Sequence, residues 1–118
     1  MRNFREYDVW IDGMEMVQTI YSMVASFPSG EKFSLTSQIT RSAVSIPSNI
    51  AEGASRTSEK DFARFLEISL GSSFELETQL RVASQLKYIT PTNFEEALES
   101  IISLQKRIYG LRKKVLNK

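Results

Sequence analysis

Residues 42–56 read S-A-V-S-I-P-S-N-I-A-E-G-A-S-R, and this stretch organises the rest of the chain. Ala43, Val44, Ile46, Ile50, Ala51 and Ala54 recur at helical spacing and would line a narrow apolar face. Pro47 withholds one backbone donor and its ring crowds the carbonyl of Ala43, so the helix should kink there. Gly53 is placed to end it, because glycine tolerates the left-handed conformation at a helix C-terminus. A kinked helix of small residues, stopping at Gly53 or Ser55, is predicted.

The 118 residues, 42% of them hydrophobic, suit a single domain spanning 1–118 that can bury a core without disulfides or a structural metal. The chain has no cysteine and no histidine. That removes thiol nucleophiles, Cys/His zinc sites, imidazole bases and the Glu-x-x-His ligands of di-metal bundles together. No cofactor, no metal and no catalytic residue is expected. A formal charge of +1 supplies no global field to draw a polyanion, so nucleic-acid contact would need a local patch. Residues 1–5 are polar and no run approaches the roughly 20 apolar residues of a membrane helix. A soluble cytoplasmic protein with no membrane partner is expected.

In helix 1, predicted over about 6–26, Tyr7, Trp10, Met14, Val17, Tyr21 and Val24 form one apolar stripe. Val9, Met16, Ile20, Met23 and Phe27 form a second, roughly 120° away. One bundle face needs one stripe, so the other must meet a further helix or another subunit. Residues 27–32 carry proline and glycine and read as a loop. Ser34 or Thr36 caps helix 2, whose stripe is Leu35, Ile39, Ala43, Ile46 and Ile50. Thr57 or Ser58 caps helix 3, with Phe62, Phe65, Leu66, Ser69, Ser73, Leu76, Leu80 and Ala83 on one side. Gly71, Ser72 and Ser73 are poor helix formers in mid-run, and their small size implies a close helix approach. Tyr88 to Pro91 end that pattern. Thr92 or Asn93 caps helix 4, whose apolar side is Phe94, Leu98, Ile101, Ile108 and Val115. The expected fold is all-α, an antiparallel up-down-up-down four-helix bundle.

Residues 34–56, S-L-T-S-Q-I-T-R-S-A-V-S-I-P-S-N-I-A-E-G-A-S-R, with F-x-x-F-L from Phe62 and G-S-S-F-E-L-E-T-Q-L from Gly71, resemble the 23S rRNA-intervening sequence proteins of bacteria. The resemblance spans nearly the whole chain. It implies an antiparallel four-helix bundle and a ring-shaped homopentamer. A related branch, the accessory variability determinant proteins of diversity-generating retroelements, carries an implication of nucleic-acid binding, RNA or DNA. The structural signature residues are then Pro47, Asn49, Glu52, Gly53, Arg56, Gly71 and Glu75.

Asn49, Glu52 and Arg56, with Glu75 and Glu77, make either a recognition surface or structural contacts. The structural reading has Asn49 bonding a neighbouring helix and Arg56 pairing with a carboxylate across the helix 2 to helix 3 turn. Glu67, Glu75 and Glu77 are read as solvated or salt-bridged rather than as a metal site. Lys106, Arg107, Arg112, Lys113, Lys114 and Lys118 at the basic end of helix 4 are the candidate phosphate contacts. The bland account makes them partners of the negative helix end. Tyr7, Trp10 and Tyr21 are expected to pack in the core or an interface. The function expected is a non-enzymatic, self-assembling scaffold or adaptor with no small-molecule substrate; the alternative is a nucleic-acid-binding accessory protein.

Overall fold

The computed structural model describes residues 2–117. Its helices are α1 (Asp8–Val24), α2 (Leu35–Ala54), α3 (Glu59–Gln85) and α4 (Pro91–Leu116), with short 3-10 turns at Phe4–Glu6 and Ser29–Glu31. Each helix packs on its neighbour in the chain and α4 returns to α1, while the diagonal pairs do not meet. Cross-helix bonds fix the directions. Ser42 pairs with Gln79, Ser45 with Ser72, and Ile46 with Ser69, so numbers rise along α2 as they fall along α3. Gln105 with Glu77 and Arg112 with Ala63 set α4 antiparallel to α3 in the same way. The result is a four-helix bundle measuring 45 × 24 × 20 Å. None of its helices is long and apolar enough to cross a membrane.

The helix ends follow local chemistry. Ser58 Oγ accepts the Asp61 N–H at 3.0 Å and caps α3. Thr90 Oγ1 accepts the Asn93 N–H at 3.2 Å and caps α4. Pro91 therefore opens α4 rather than closing the preceding segment, correcting the expected cap at Thr92 or Asn93. Its missing N–H is one the first turn leaves unbonded anyway.

The end of α3 uses a device the sequence conceals. Lys87 has φ 63° and is the one non-glycine residue with positive φ among those described. Its N–H reaches Ser84 O, and the Tyr88 N–H reaches Ala83 O. This is a Schellman closure with lysine where glycine is favoured. Left-handed backbone costs a side-chain-bearing residue about 1 kcal/mol or more. Lys87→Gly is therefore expected to raise stability by about 1 kcal/mol, read from the urea midpoint at unchanged slope.

The α3 core is the one expected. Phe62, Phe65, Leu66, Ser69, Ser73, Leu76, Leu80 and Ala83 are all buried. On α2, Ile39, Ala43, Ile46, Pro47, Ile50 and Ala54 are buried, but Val44 faces outward and Ala51 is half-buried, so the predicted face is displaced. On α1 the buried residues are Val9, Gly13, Met16, Ile20 and Val24. The second stripe is thus the core stripe; of the first, Val24 is buried with it, and Tyr7, Trp10 and Val17 pack half-buried against it. Tyr7 stacks on Phe62 and Trp10 meets Phe4 edge-on, whereas Tyr21 lies outside the core. On α4, Ala97 and Leu104 are buried core residues that the predicted stripe lacked, while Phe94 and Leu98 are half-buried.

Candidate functional site

Of the signature residues, Asn49, Gly53 and Arg56 lie along the seam between α2 and α3, whereas Pro47 meets Gly13 of α1 and Glu52, Gly71 and Glu75 are exposed. Gly53 lies inside α2 with ordinary helical backbone; of the two expected ends the structure takes the later, with α2 running to Ala54 and Ser55 as its cap. Gly53 permits close approach. A Cβ there would stand 2.6 Å from Phe65 Cβ, 3.1 Å from Phe62 Cδ1 and 3.3 Å from the Phe62 carbonyl. Further along, the Ser69 hydroxyl is fully buried and donates to the Ile46 carbonyl at 2.8 Å, one residue before Pro47. Serine hydroxyls are small enough to sit inside the seam and still satisfy buried carbonyls.

Asn49 does not bond a neighbouring helix directly. Its amide donates to Ser45 O and Ser45 Oγ, both at 2.9 Å, and Ser45 Oγ in turn meets Ser72 Oγ at 2.7 Å on α3. The short asparagine side chain reaches back one turn more readily than across the seam. Arg56, just past the end of α2, pairs at 3.9 Å with Glu52 in the last turn of that helix rather than across the turn to α3. It reaches α3 by stacking over the Phe65 ring, 4.6 Å from its centroid. Glu75 is exposed. Gly71 has nothing within 4 Å of where a Cβ would stand, so no close approach accounts for it; Ser72 and Ser73 are the buried members of that trio.

The glutamates of α3 are distributed among separate partners. Glu67 pairs with Arg112 at 2.9 Å, and Glu77 pairs with Arg81 at 2.9 Å. Gln105 donates to Glu77 Oε1 at 2.8 Å. That bond, with help from Arg81 and against the opposing effect of burial, holds the Glu77 carboxyl below its ordinary range. A depressed folded-state pKa adds stability above the unfolded glutamate pKa, lost as pH falls through the folded value. Gln105→Leu is expected to cost about 1 kcal/mol at about pH 7. Most of that difference should vanish at an acid pH below the lowered folded-state value, where Glu77 is protonated in both states. Urea denaturation at the two pH values measures it. No group of three acidic, histidine or cysteine side chains among the described residues could hold a metal ion.

The basic end of α4 divides among faces. Arg107 turns toward α1, donating to Asp12 at 2.6 Å and Asp8 at 3.2 Å. Burial alone would lower its pKa, but these carboxylates outweigh it and keep the guanidinium firmly charged. Arg112 turns toward α3, bonding Ala63 O and Glu67. Lys106, Lys113 and Lys114 remain exposed, and Lys118 lies outside the described residues. Antiparallel packing brings Arg5, Lys60 and Arg64 to the same end of the bundle. Sequence order conceals this grouping, because the three come from other segments.

The outer surface of α1 and α2 carries exposed large apolar side chains among polar ones. Met14 is 41% exposed, Tyr21 52% and Val44 39%. Tyr21 and Val44 line a shallow depression of about 470 Å³ with Ser37, Thr40 and Arg41. On α3, Ile68, Phe74 and Val82 are likewise exposed.

Comparison with other proteins follows this geometry. The sequence profile of the 23S rRNA-intervening sequence proteins matches residues 5–110. A crystal structure of a protein of unknown function from the S23 ribosomal protein family of Bacteroides thetaiotaomicron superposes with a TM-score of 0.80. It is 27% identical, over 89% of this chain and 98% of its own. No curated protein matches the chain.

Proposed function

Since the chain belongs to the 23S rRNA-intervening sequence protein family, we propose that it is a self-assembling four-helix bundle acting as a non-enzymatic scaffold or adaptor in the cytoplasm. The observation that carries this reading is the apolar strip of Met14, Tyr21 and Val44. Large side chains at helical spacing on a face with no partner in the chain are the material of an interface. Val17, half-buried between Met14 and Tyr21, continues the strip inward. The complete lack of histidine and cysteine supports the absence of catalysis. A solution scattering measurement tests the assembly. One bundle has a Cα radius of gyration of 14.7 Å, and the assembled protein should give a clearly larger value. A radius near that of one bundle would contradict it.

A second reading draws on the lysines and arginines gathered from three segments at one end of the bundle. Lys113 and Lys114, with Lys60 and Arg64 beside them, form a basic end that repeats once per subunit in an assembly and can contact nucleic-acid phosphates together. Replacing Lys113 and Lys114 by glutamine should weaken single-stranded RNA binding. It should also reduce the slope of log affinity against log salt by about 1.4, some 0.7 for each lost phosphate contact. An unchanged slope would remove these lysines from the interface.

A further inference from the structure

A second group of exposed large apolar side chains lies on the side of the bundle opposite the α1–α2 strip. Each helix packs only on its two neighbours, so α3 and α4 together form the wall that faces away from α1 and α2. On that wall Phe74 is 52% exposed and Tyr109 57%. The bond from Gln105 to Glu77 sets the register of these two antiparallel helices. Phe74 lies three residues before Glu77 and Tyr109 four after Gln105. The two rings therefore stand at the same height to within about 1.5 Å. Leu70 and Ile102, both half-buried, extend the apolar surface to either side of them. Gly71 and Gly110 are exposed in mid-helix beside the rings, with nothing within 4 Å of where a Cβ would stand. They weaken their helices without making room for any contact inside the chain. The room they leave is for a helix approaching from outside.

A second copy of the chain supplies a helix of matching chemistry. The outer side of α1 exposes Ile11, Met14 and Tyr21. That helix carries three acids and no base. Asp8 and Asp12 are taken up by Arg107 of the same chain. Glu15, one turn from Ile11 and next to Met14, makes no ion pair among the described residues. The α3–α4 wall has the opposite balance. Its Glu67 and Glu77 are neutralised by Arg112 and Arg81, and from Ile101 to Leu116 all the charge on α4 is basic. Lys106, exposed one turn from both Tyr109 and Gly110, is likewise unpaired among the described residues.

The placement of the two surfaces fits a repeating contact. A strip meeting its own copy closes a two-fold dimer, whereas a strip on one wall meeting a groove on the opposite wall is heterologous and can continue around a ring. Resting on the reading that the chain self-assembles through its α1–α2 strip, we propose that the strip of one copy docks in the α3–α4 groove of the next. Its α1 then lies against Phe74 and Tyr109, and Glu15 pairs with Lys106 at the rim. Aromatic anchors carry the burial and the rim charges fix the register.

Mixing two complementary variants of the full chain tests this. Phe74→Glu with Tyr109→Glu disables the groove, and Tyr21→Glu with Val44→Glu disables the strip. All four positions are exposed in a single bundle, so both variants should keep their helical circular dichroism. Each alone should scatter light as a single chain. Mixed in equal amounts, they should form a one-to-one complex of twice that mass, joining the intact groove of one to the intact strip of the other. In the parent chain Glu15→Lys should weaken assembly about threefold, and adding Lys106→Glu should restore it. A groove variant that keeps the parent's mass, a mixture that stays at the single-chain mass, or a charge reversal that Lys106→Glu does not restore would overturn this docking and leave self-assembly standing. A parent of single-chain mass would overturn both.

Discussion

Replacing Gly53 by alanine is expected to lower folding stability by about 2 kcal/mol, although alanine is the better helix former. Alanine gains about 1 kcal/mol of helix propensity over glycine. Against this, the new methyl would stand 2.6 Å from Phe65 Cβ. That atom is fixed to the backbone of α3 and cannot rotate aside, unlike the tip of a flexible side chain. Phe62 closes the other side through its ring and its carbonyl. The helices must therefore separate where Ile50, Ala54, Phe62 and Leu66 are buried. Overpacking of this kind costs about 1–3 kcal/mol or more, and loosened neighbouring contacts add to it. Urea denaturation should show a lower midpoint at unchanged slope. Stability equal to or above that of the parent would mean that α2 and α3 do not approach as tightly at Gly53 as described.

The second large effect concerns assembly. Tyr21→Glu combined with Val44→Glu should weaken self-association by about a hundredfold or more, because both carboxylates would be desolvated inside the interface without a partner. The monomer itself should tolerate the change, since both side chains are already substantially exposed. Helical circular dichroism should be retained. Any fall in melting temperature should depend on protein concentration, as expected when association stabilises the fold. A variant that keeps the parent's mass at micromolar concentration would remove the α1–α2 strip from the interface. In a cyclic ring of odd number the contact is heterologous, so this strip would meet a different surface of its neighbour. Ile68, Phe74 and Val82 of α3 are further exposed apolar residues that could supply that surface.

Much of the bundle is written plainly in the sequence. Along α3 the three/four rhythm from Phe62 to Ala83 runs uninterrupted, and only one face of it is apolar enough to be core. Ser58 and Asp61 mark its start with equal clarity. Helix 1 is harder, because two apolar stripes compete and periodicity cannot rank them. Gly13 holds the discriminating signal. It sits on the stripe of Val9, Met16 and Ile20, where α1 packs against Pro47 and Ile46 of α2, and a Cβ there would meet Pro47 at 3.5 Å. Gly13 taken together with Pro47 selects the buried stripe.

The loop preceding α4 misleads for a local reason. Proline serves equally as a stop and as a first helical residue, and Thr90 decides between these roles only through its hydrogen bond to Asn93. Lys87 in a left-handed turn leaves no mark at all, since glycine is the usual sign. The basic end of α4 was legible as composition but not as a surface. Helical rotation turns Arg107 to α1 and Arg112 to α3, and a linear run of charges does not reveal which carboxylates those faces meet.

Light scattering on the purified chain at micromolar concentration tests self-assembly most directly. The mass of one chain is 13.5 kDa. The account predicts a stable particle at an integral multiple of that mass, five by resemblance to the family, and a mass of a single chain would contradict it.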